Sequence, residues 1–357
     1  MKIPSRREIL QVIGGTLLLP LGVRGKEGKL KKARIKIGQI GVGHAHATKL
    51  EVYRASPDYE VVGIVEPNEA LRQQAMNDPA FAGVPWMTQE QLLDVSGLQA
   101  VLVETEVRNL LKVAEACVAA GKHIHLDKPA GESLPQFEQV LIAAAKQGRM
   151  VQLGYMYRYN PAIIVLREFL KRGWLGEPFE VHAVMSKQFP LESRRKAGDY
   201  DGGVMFELGC HLIDLVVGVL GKPDNVASYR RRIADSDDQL VDNMLAVLDY
   251  PKAIASIKSS AVEVEGQRRR HFVVCGTEGT FHVQPLDAPA IRVAFSKGRG
   301  EYTKGYQDIA LPKFQRYIAD AADMAAVIRG EKQDDFPYEH ELNVQTIVLK
   351  ASGQPLT

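Results

Sequence analysis

Cysteine is scarce in this 357-residue chain. Cys117, Cys210 and Cys275 are isolated and none has CxxC spacing, so a disulfide framework and a cysteine-based zinc site are both excluded. Charge of one sign is also lacking. The formal net charge is only +2, and the first 25 residues supply it, with Lys2, Arg6, Arg7 and Arg24 against Glu8. The remainder is nearly neutral and has no basic footprint for nucleic acid. The apolar run Val12–Val23 is short and softened by Gly14 and Gly15, too short for a membrane span. Internal repeats and low-complexity tracts are absent. What remains is a globular composition, 45% hydrophobic and 25% charged, with length for two domains.

The N-terminus reads as a targeting segment. Ser5-Arg6-Arg7-Glu8-Ile9-Leu10 fits the twin-arginine pattern S-R-R-x-x-L, and the apolar run follows in the right order. Residues 1–25 are expected to be a signal that engages the twin-arginine export machinery, and 26–33 a basic linker. The mature protein is then periplasmic or otherwise exported. That route carries folded proteins, so a cofactor could be loaded inside and would have to be held tightly outside.

The chain is organised around Ala33–Glu66. Ile35, Ile37 and Ile40 form an apolar run that ends at Gly41 and Gly43. An amphipathic segment with Ala47, Leu50, Val52 and Tyr53 follows, then the strand-like run Tyr59–Val65, closed by Glu66. Strand, glycine turn, helix and strand, with an acid about 20 residues past the turn, is the layout of a dinucleotide-binding crossover. Gly41 permits the tight turn, and Gly43 lets main-chain N–H groups approach a pyrophosphate. Glu66 can accept from both ribose hydroxyls and repels a 2′-phosphate, which favours NAD over NADP. His46 stands where the third glycine of G-x-G-x-x-G would fall; a displaced helix or a ligand-facing imidazole is expected, with His44 beside it.

Helical segments at 68–76, 88–94, 107–120 and 134–147 alternate with strand-like runs at 98–104, 122–127 and 150–154. That alternation implies a doubly wound parallel sheet, assigned here to residues 34–155. Lys128 falls at the carboxyl end of a strand, where such sheets bind ligands. The pairs His44/His46 and His123/His125 have H-x-H spacing, yet no third ligand is evident beside 123/125, and no metal is expected.

Ala119-Ala-Gly-Lys-His-Ile-His-Leu-Asp-Lys-Pro129 resembles the AGKHV…EKP signature of the Gfo/Idh/MocA oxidoreductases. Gly154–Pro161 is similar to that family's GfmrRfNP segment, Glu207-x-Gly209-x-His211-x-x-Asp214 to its D-x-G-x-H-x-x-D, and Gly276-Thr-Glu-Gly-Thr280 to its GteG turn. The resemblance covers nearly all of residues 34–353. It implies that Lys128 lies near the nicotinamide ribose and substrate hydroxyl, with Asp127 in place of the usual glutamate. It also implies that His211 is the general acid/base and that Glu207 replaces the family's aspartate. Thr105 opens a segment, Thr105–Leu110, that departs from the family's TPNxxH on the nicotinamide side.

Residues 156–357 are expected to form the substrate domain. Gly202–Leu220 is apolar almost all round, hence a buried helix, interrupted by Glu207, His211 and Asp214 at i, i+4 and i+7 on one face. Tyr157, Arg158, Glu207, His211 and Asp214 are expected to line the substrate cleft, with Asp214 orienting His211 or capping structure. Six successive strand-like runs between 225 and 295 suggest a large, open, mostly antiparallel sheet. The family resemblance implies that its outer face pairs copies into a homodimer or homotetramer. Closing helices are expected at 314–329 and 339–352, the last returning to the first domain.

The leading expectation is therefore an exported NAD(P)-dependent oxidoreductase acting on a sugar, sugar derivative or cyclitol through tightly bound nicotinamide. Two other readings stand beside it. One is an NAD-dependent glycoside hydrolase working by transient oxidation and elimination, and the other is a non-catalytic sugar-binding protein on the same scaffold.

Overall fold

The computed structural model describes residues 32–199 and 201–357; the twin-arginine segment and most of the linker lie outside them. Five parallel strands form the first sheet: β1 (Ile35–Ile40), β2 (Tyr59–Val65), β3 (Leu98–Val103), β4 (His123–Leu126) and β5 (Val151–Leu153). Their order is β2-β1-β3-β4-β5. The strands are short apolar runs because helices cover both faces of the sheet. The local signals act as read. Asn68 caps the Glu69–Met76 helix through Ala70 and Leu71. Thr88 and Gln91 form a capping box on Gln89–Leu93. Strand order reverses between β1 and β3, so the carboxyl ends of β1 to β4 open a crevice holding Gly41, Glu66, Thr105 and Lys128.

The second sheet has eight strands: β6 (Pro178–Ser186), β7 (Asn225–Arg231), β8 (Asn243–Tyr250), β9 (Ala253–Ser260), β10 (His271–Gly276), β11 (Gly279–Val283), β12 (Ile291–Phe295) and β13 (Gly305–Ile309). The order is β13-β12-β11-β10-β6-β9-β8-β7, antiparallel except where β6 runs parallel to β9. The sequence reading assigned no element to β6, although it is central. Phe179 is exposed although it shares a face with buried Val181, and Ala183–Ser186 is buried without a break on both faces, so neither strand pattern covers the whole run. β13 and the Leu191–Gly198 helix also went unassigned.

The Cys210–Leu220 helix lies under this sheet, preceded by a π-helical turn at Met205–Gly209. The last helix, Tyr338–Ser352, reaches the first domain. Gln345 accepts from Ala130 N at 3.3 Å and donates to Gly131 O at 2.7 Å, pinning the loop after Lys128.

Candidate active site

The glycine turn is built for close approach. Gly41 has φ of 94°, and a Cβ there would lie 2.5 Å from the main-chain N of Thr105; only glycine fits both constraints. A Cβ on Gly43 would meet the side chains of Glu106 at 3.1 Å and Leu71 at 3.2 Å. Glu66 closes β2 and accepts from Val42 N at 2.9 Å and Asn68 N at 2.8 Å, which aims a fixed carboxylate at the rim of a cleft of about 570 Å³. Gly43, Arg72, Thr88 and Thr105 line the same cleft. Its volume, bare glycine backbone and end-of-strand acid fit the adenosine half of a dinucleotide. Glu106, where the resembled motif has proline, is the discordant group at its inner end.

A second cleft of about 300 Å³ begins at Gly43 and His44 and runs to Lys187, Ser193, Lys196 and Glu207. Lys128 is buried behind Glu207. Its Nζ donates to the main-chain O of Glu207 at 2.9 Å and lies 3.5 Å from the Glu207 carboxylate. Burial alone would depress the lysine's pKa, but Glu207, Cys210 and Asp127 outweigh it and hold the group above its ordinary value. His211 is 3% exposed, and its ring packs edge-on to Tyr157 at 5.1 Å and tilted to His46 at 6.3 Å. Burial, then Lys128 and His46, push its pKa well below 6.5. The imidazole is therefore neutral at ordinary pH. Its Nδ1 has no hydrogen-bond partner among the described residues.

The displaced helix start expected at His46 is present. His46 precedes a 3-10 turn at Ala47–Lys49, and the α-helix begins only at Leu50; the helix start is displaced from the glycine turn. Its ring faces Asp127, 3.3 Å from Nδ1, and also His211 and Tyr317, and burial lowers its pKa to about 4. His44 turns Nδ1 to Asp127 at 2.9 Å and Nε2 to Lys128 O at 3.1 Å. His44, His46 and Asp127 bring one potential ligand atom each within 4.8 Å of one another, a grouping the H-x-H spacing alone did not complete.

Beneath them is a polar layer that sequence reasoning missed. Lys49 Nζ lies 3.0 Å from both Glu104 and Asp127 and 2.9 Å from His125 Nε2, and His125 Nδ1 lies 2.8 Å from Gln152 Oε1. Burial alone would raise the Asp127 pKa, but His44 and Lys49 draw it well below the carboxylate range. Burial and Asp127 push Glu104 well above it. A signal for Lys49 existed: it shares a helical face with Tyr53, four residues on, which is fully buried.

Two expected cleft residues are elsewhere. Arg158 donates to both Asp214 oxygens, at 2.6 and 3.0 Å, and to both Glu341 oxygens, at 2.6 and 2.7 Å. Asp214 also lies 3.2 Å from His340 and does not touch His211. All three charged groups are buried, so Arg158 and Asp214 join helices rather than contact a substrate. The single-face stripe divides because 211 to 214 advances 300°, which leaves Asp214 about 60° off the His211 direction. The π turn through Met205–Gly209 further shifts Glu207, as such turns do at functional sites. The Tyr157 ring packs on His211, and its hydroxyl donates to Asp287.

Comparison with known proteins decides what this assembly is. Residues 35–155 match the oxidoreductase family with an NAD-binding Rossmann fold, and 163–282 match the GFO/IDH/MocA C-terminal domain. The chain belongs to the Gfo/Idh/MocA oxidoreductase family. It is 24% identical to an inositol 2-dehydrogenase of Salmonella typhimurium over 83% of each chain. It is 25% identical to a scyllo-inositol 2-dehydrogenase (NADP(+)) of Bacillus subtilis over 73% of this chain and 72% of that one. Among solved structures, GenD2 from gentamicin A biosynthesis, in complex with NAD, superposes with a TM-score of 0.74 at 19% identity, covering 94% of this chain and 97% of its own. This Gfo/Idh/MocA protein is thus an NAD(P)-dependent oxidoreductase acting on CH–OH groups, with a parallel dinucleotide-binding sheet and a large, mostly antiparallel second sheet.

Proposed function

We propose that the protein is an exported, NAD-dependent oxidoreductase whose substrate is a sugar, sugar derivative or cyclitol hydroxyl. The observation that carries the reading is that Glu207 lines a cleft sharing Gly43 with the nucleotide cleft, while buried Lys128 is bonded to Glu207 and its charge acts on the neutral imidazole of His211. Bound nicotinamide supplies the hydride acceptor or donor. Lys128, kept protonated by Glu207, donates a hydrogen bond to the reacting oxygen and stabilises charge that develops there. His211 takes the hydroxyl proton during oxidation and returns it during reduction. Asp127 fixes the strand end by accepting from Lys128 N at 2.7 Å.

Glu66 supports the preference for NAD, since a carboxylate in that position accepts from ribose hydroxyls and repels a 2′-phosphate. The twin-arginine motif supports export, with NAD held through turnover. The outer face of the eight-stranded sheet, with exposed Tyr229, Ile254 and Tyr306, supports pairing of copies into a homodimer or homotetramer.

The first experiment is nucleotide extraction from the purified protein, followed by a screen of sugars and cyclitols in the reduced-nicotinamide absorbance band. Bound NAD that becomes reduced is the expected result. His211→Asn should retain NAD and lose turnover by about 10²–10⁴-fold; undiminished turnover removes His211 from the chemistry. Release of an aglycone without net reduction would instead establish the hydrolase reading.

A further inference from the structure

Lys187 leaves the end of β6 on the second-domain side of the 300 Å³ cleft. Its segment is clamped to β9: Lys187 N donates to Ser260 O at 3.0 Å and Phe189 N to Ala261 O at 2.9 Å. The side chain is half-buried, and its Nζ lies over the Phe189 ring at 4.7 Å. It makes no ion pair among the described residues. The charges that act on it are Glu207, which opposes it, and Arg270, Lys128 and Arg316, which share its sign. Each of those three cations is already paired, the two arginines with one shared carboxylate. Lys128 lies 3.5 Å from Glu207, and Arg270 and Arg316 lie 2.8 and 2.5 Å from Asp287. Arg270 is held beside Lys187 by its bond to Ser186 O at 3.1 Å. Burial together with this crowding lowers the Lys187 pKa.

An ammonium withdrawn from water among like charges is costly unless a counter-charge arrives. A neutral sugar brings only hydroxyls. We propose that the substrate of this site carries an anionic group, a carboxylate or a phosphate, that docks on Lys187 with the Ser193 hydroxyl beside it. The proposal rests on the oxidoreductase reading and narrows its substrate class. The competing occupant is the nucleotide's own pyrophosphate, since Gly43 lines the same cleft.

The test is ligand-observed NMR titration of the NAD-saturated full-length protein with glucose, glucuronate and glucose 6-phosphate, on wild type, Lys187→Met and Lys187→Arg. Wild type should bind one of the anionic sugars at least tenfold more tightly than glucose, and which one distinguishes carboxylate from phosphate. Lys187→Met should erase that preference with NAD affinity unchanged, and Lys187→Arg should keep it. Equal binding of all three sugars overturns the proposal. So does a Lys187→Met variant that loses NAD affinity but keeps the anion preference, which would assign the lysine to the pyrophosphate. If NAD binds and neutral sugars reduce it without anion preference, only this inference falls; if wild type binds no NAD, the oxidoreductase reading falls with it.

Discussion

Lys128 Nζ is joined to Glu207 twice, to its main-chain oxygen at 2.9 Å and to its carboxylate at 3.5 Å. The lysine comes from the end of a parallel strand in the first domain and the glutamate from the π turn of the second. The pair therefore closes the cleft between the two sheets and sets the charge of the lysine at once. Glu207→Gln should remove the largest of the groups that hold the Lys128 pKa up. The expected outcome is a fall in kcat, with the alkaline limb of the pH–rate profile moving to lower pH. Glu207→Asp should restore that limb. An unmoved limb in Glu207→Gln would separate the glutamate from the lysine's protonation.

His125 gives a pH prediction of defined sign. Burial and then Lys49 lower its pKa from 6.5 to about 3, so the unfolded chain binds this proton more readily than the folded one. Its contribution to stability is present above pH 6.5 and is lost as pH falls from 6.5 towards 3, at up to about 1.4 kcal/mol per pH unit. Denaturant unfolding of wild type and His125→Gln at pH 7 and pH 5 should show the difference in stability between them shrinking at the lower pH. A constant difference would mean that the ring is not held neutral.

Arg158 tests the reassigned ion cluster. Removing it in Arg158→Met leaves Asp214 and Glu341 buried without their cation, at a cost of about 3–5 kcal/mol. KM of the fraction that remains folded should be unchanged. A raised KM with intact stability would return Arg158 to the substrate cleft.

Glu66 tests the choice of nucleotide. Replacing its carboxylate in Glu66→Gln removes the repulsion of a 2′-phosphate, and Arg72 lines the same cleft. The ratio of NADP to NAD affinity should rise by about tenfold, the equivalent of about 1.4 kcal/mol. Fluorescence titration with both reduced nucleotides measures it; a ratio that does not move would show that Glu66 does not read the ribose.

Several features followed from local sequence because their physics is local. The first strand, the turn at Gly41, Glu66 at the end of β2 and the capping box at Thr88 all depend on neighbours within a few residues. The apolar runs separated by helical patterns were enough to give the doubly wound sheet. Lys128 and His211 were legible through the motifs in which they stand. Arg158 and Asp214 were misplaced because a charged residue inside a motif reads as a site residue until its counter-ion is known, and Glu341 lies 183 positions from Arg158.

The sequence by itself determined the family, the two sheets and the positions at strand and helix ends that face the crevice, since periodicity and end signals are short-range. Only the tertiary structure decided which charges are partnered. Burial depresses His211, Lys49 lies under Asp127, and Lys187 makes no ion pair among the described residues, because chain segments far apart in sequence fix the dielectric and the counter-charges around each group.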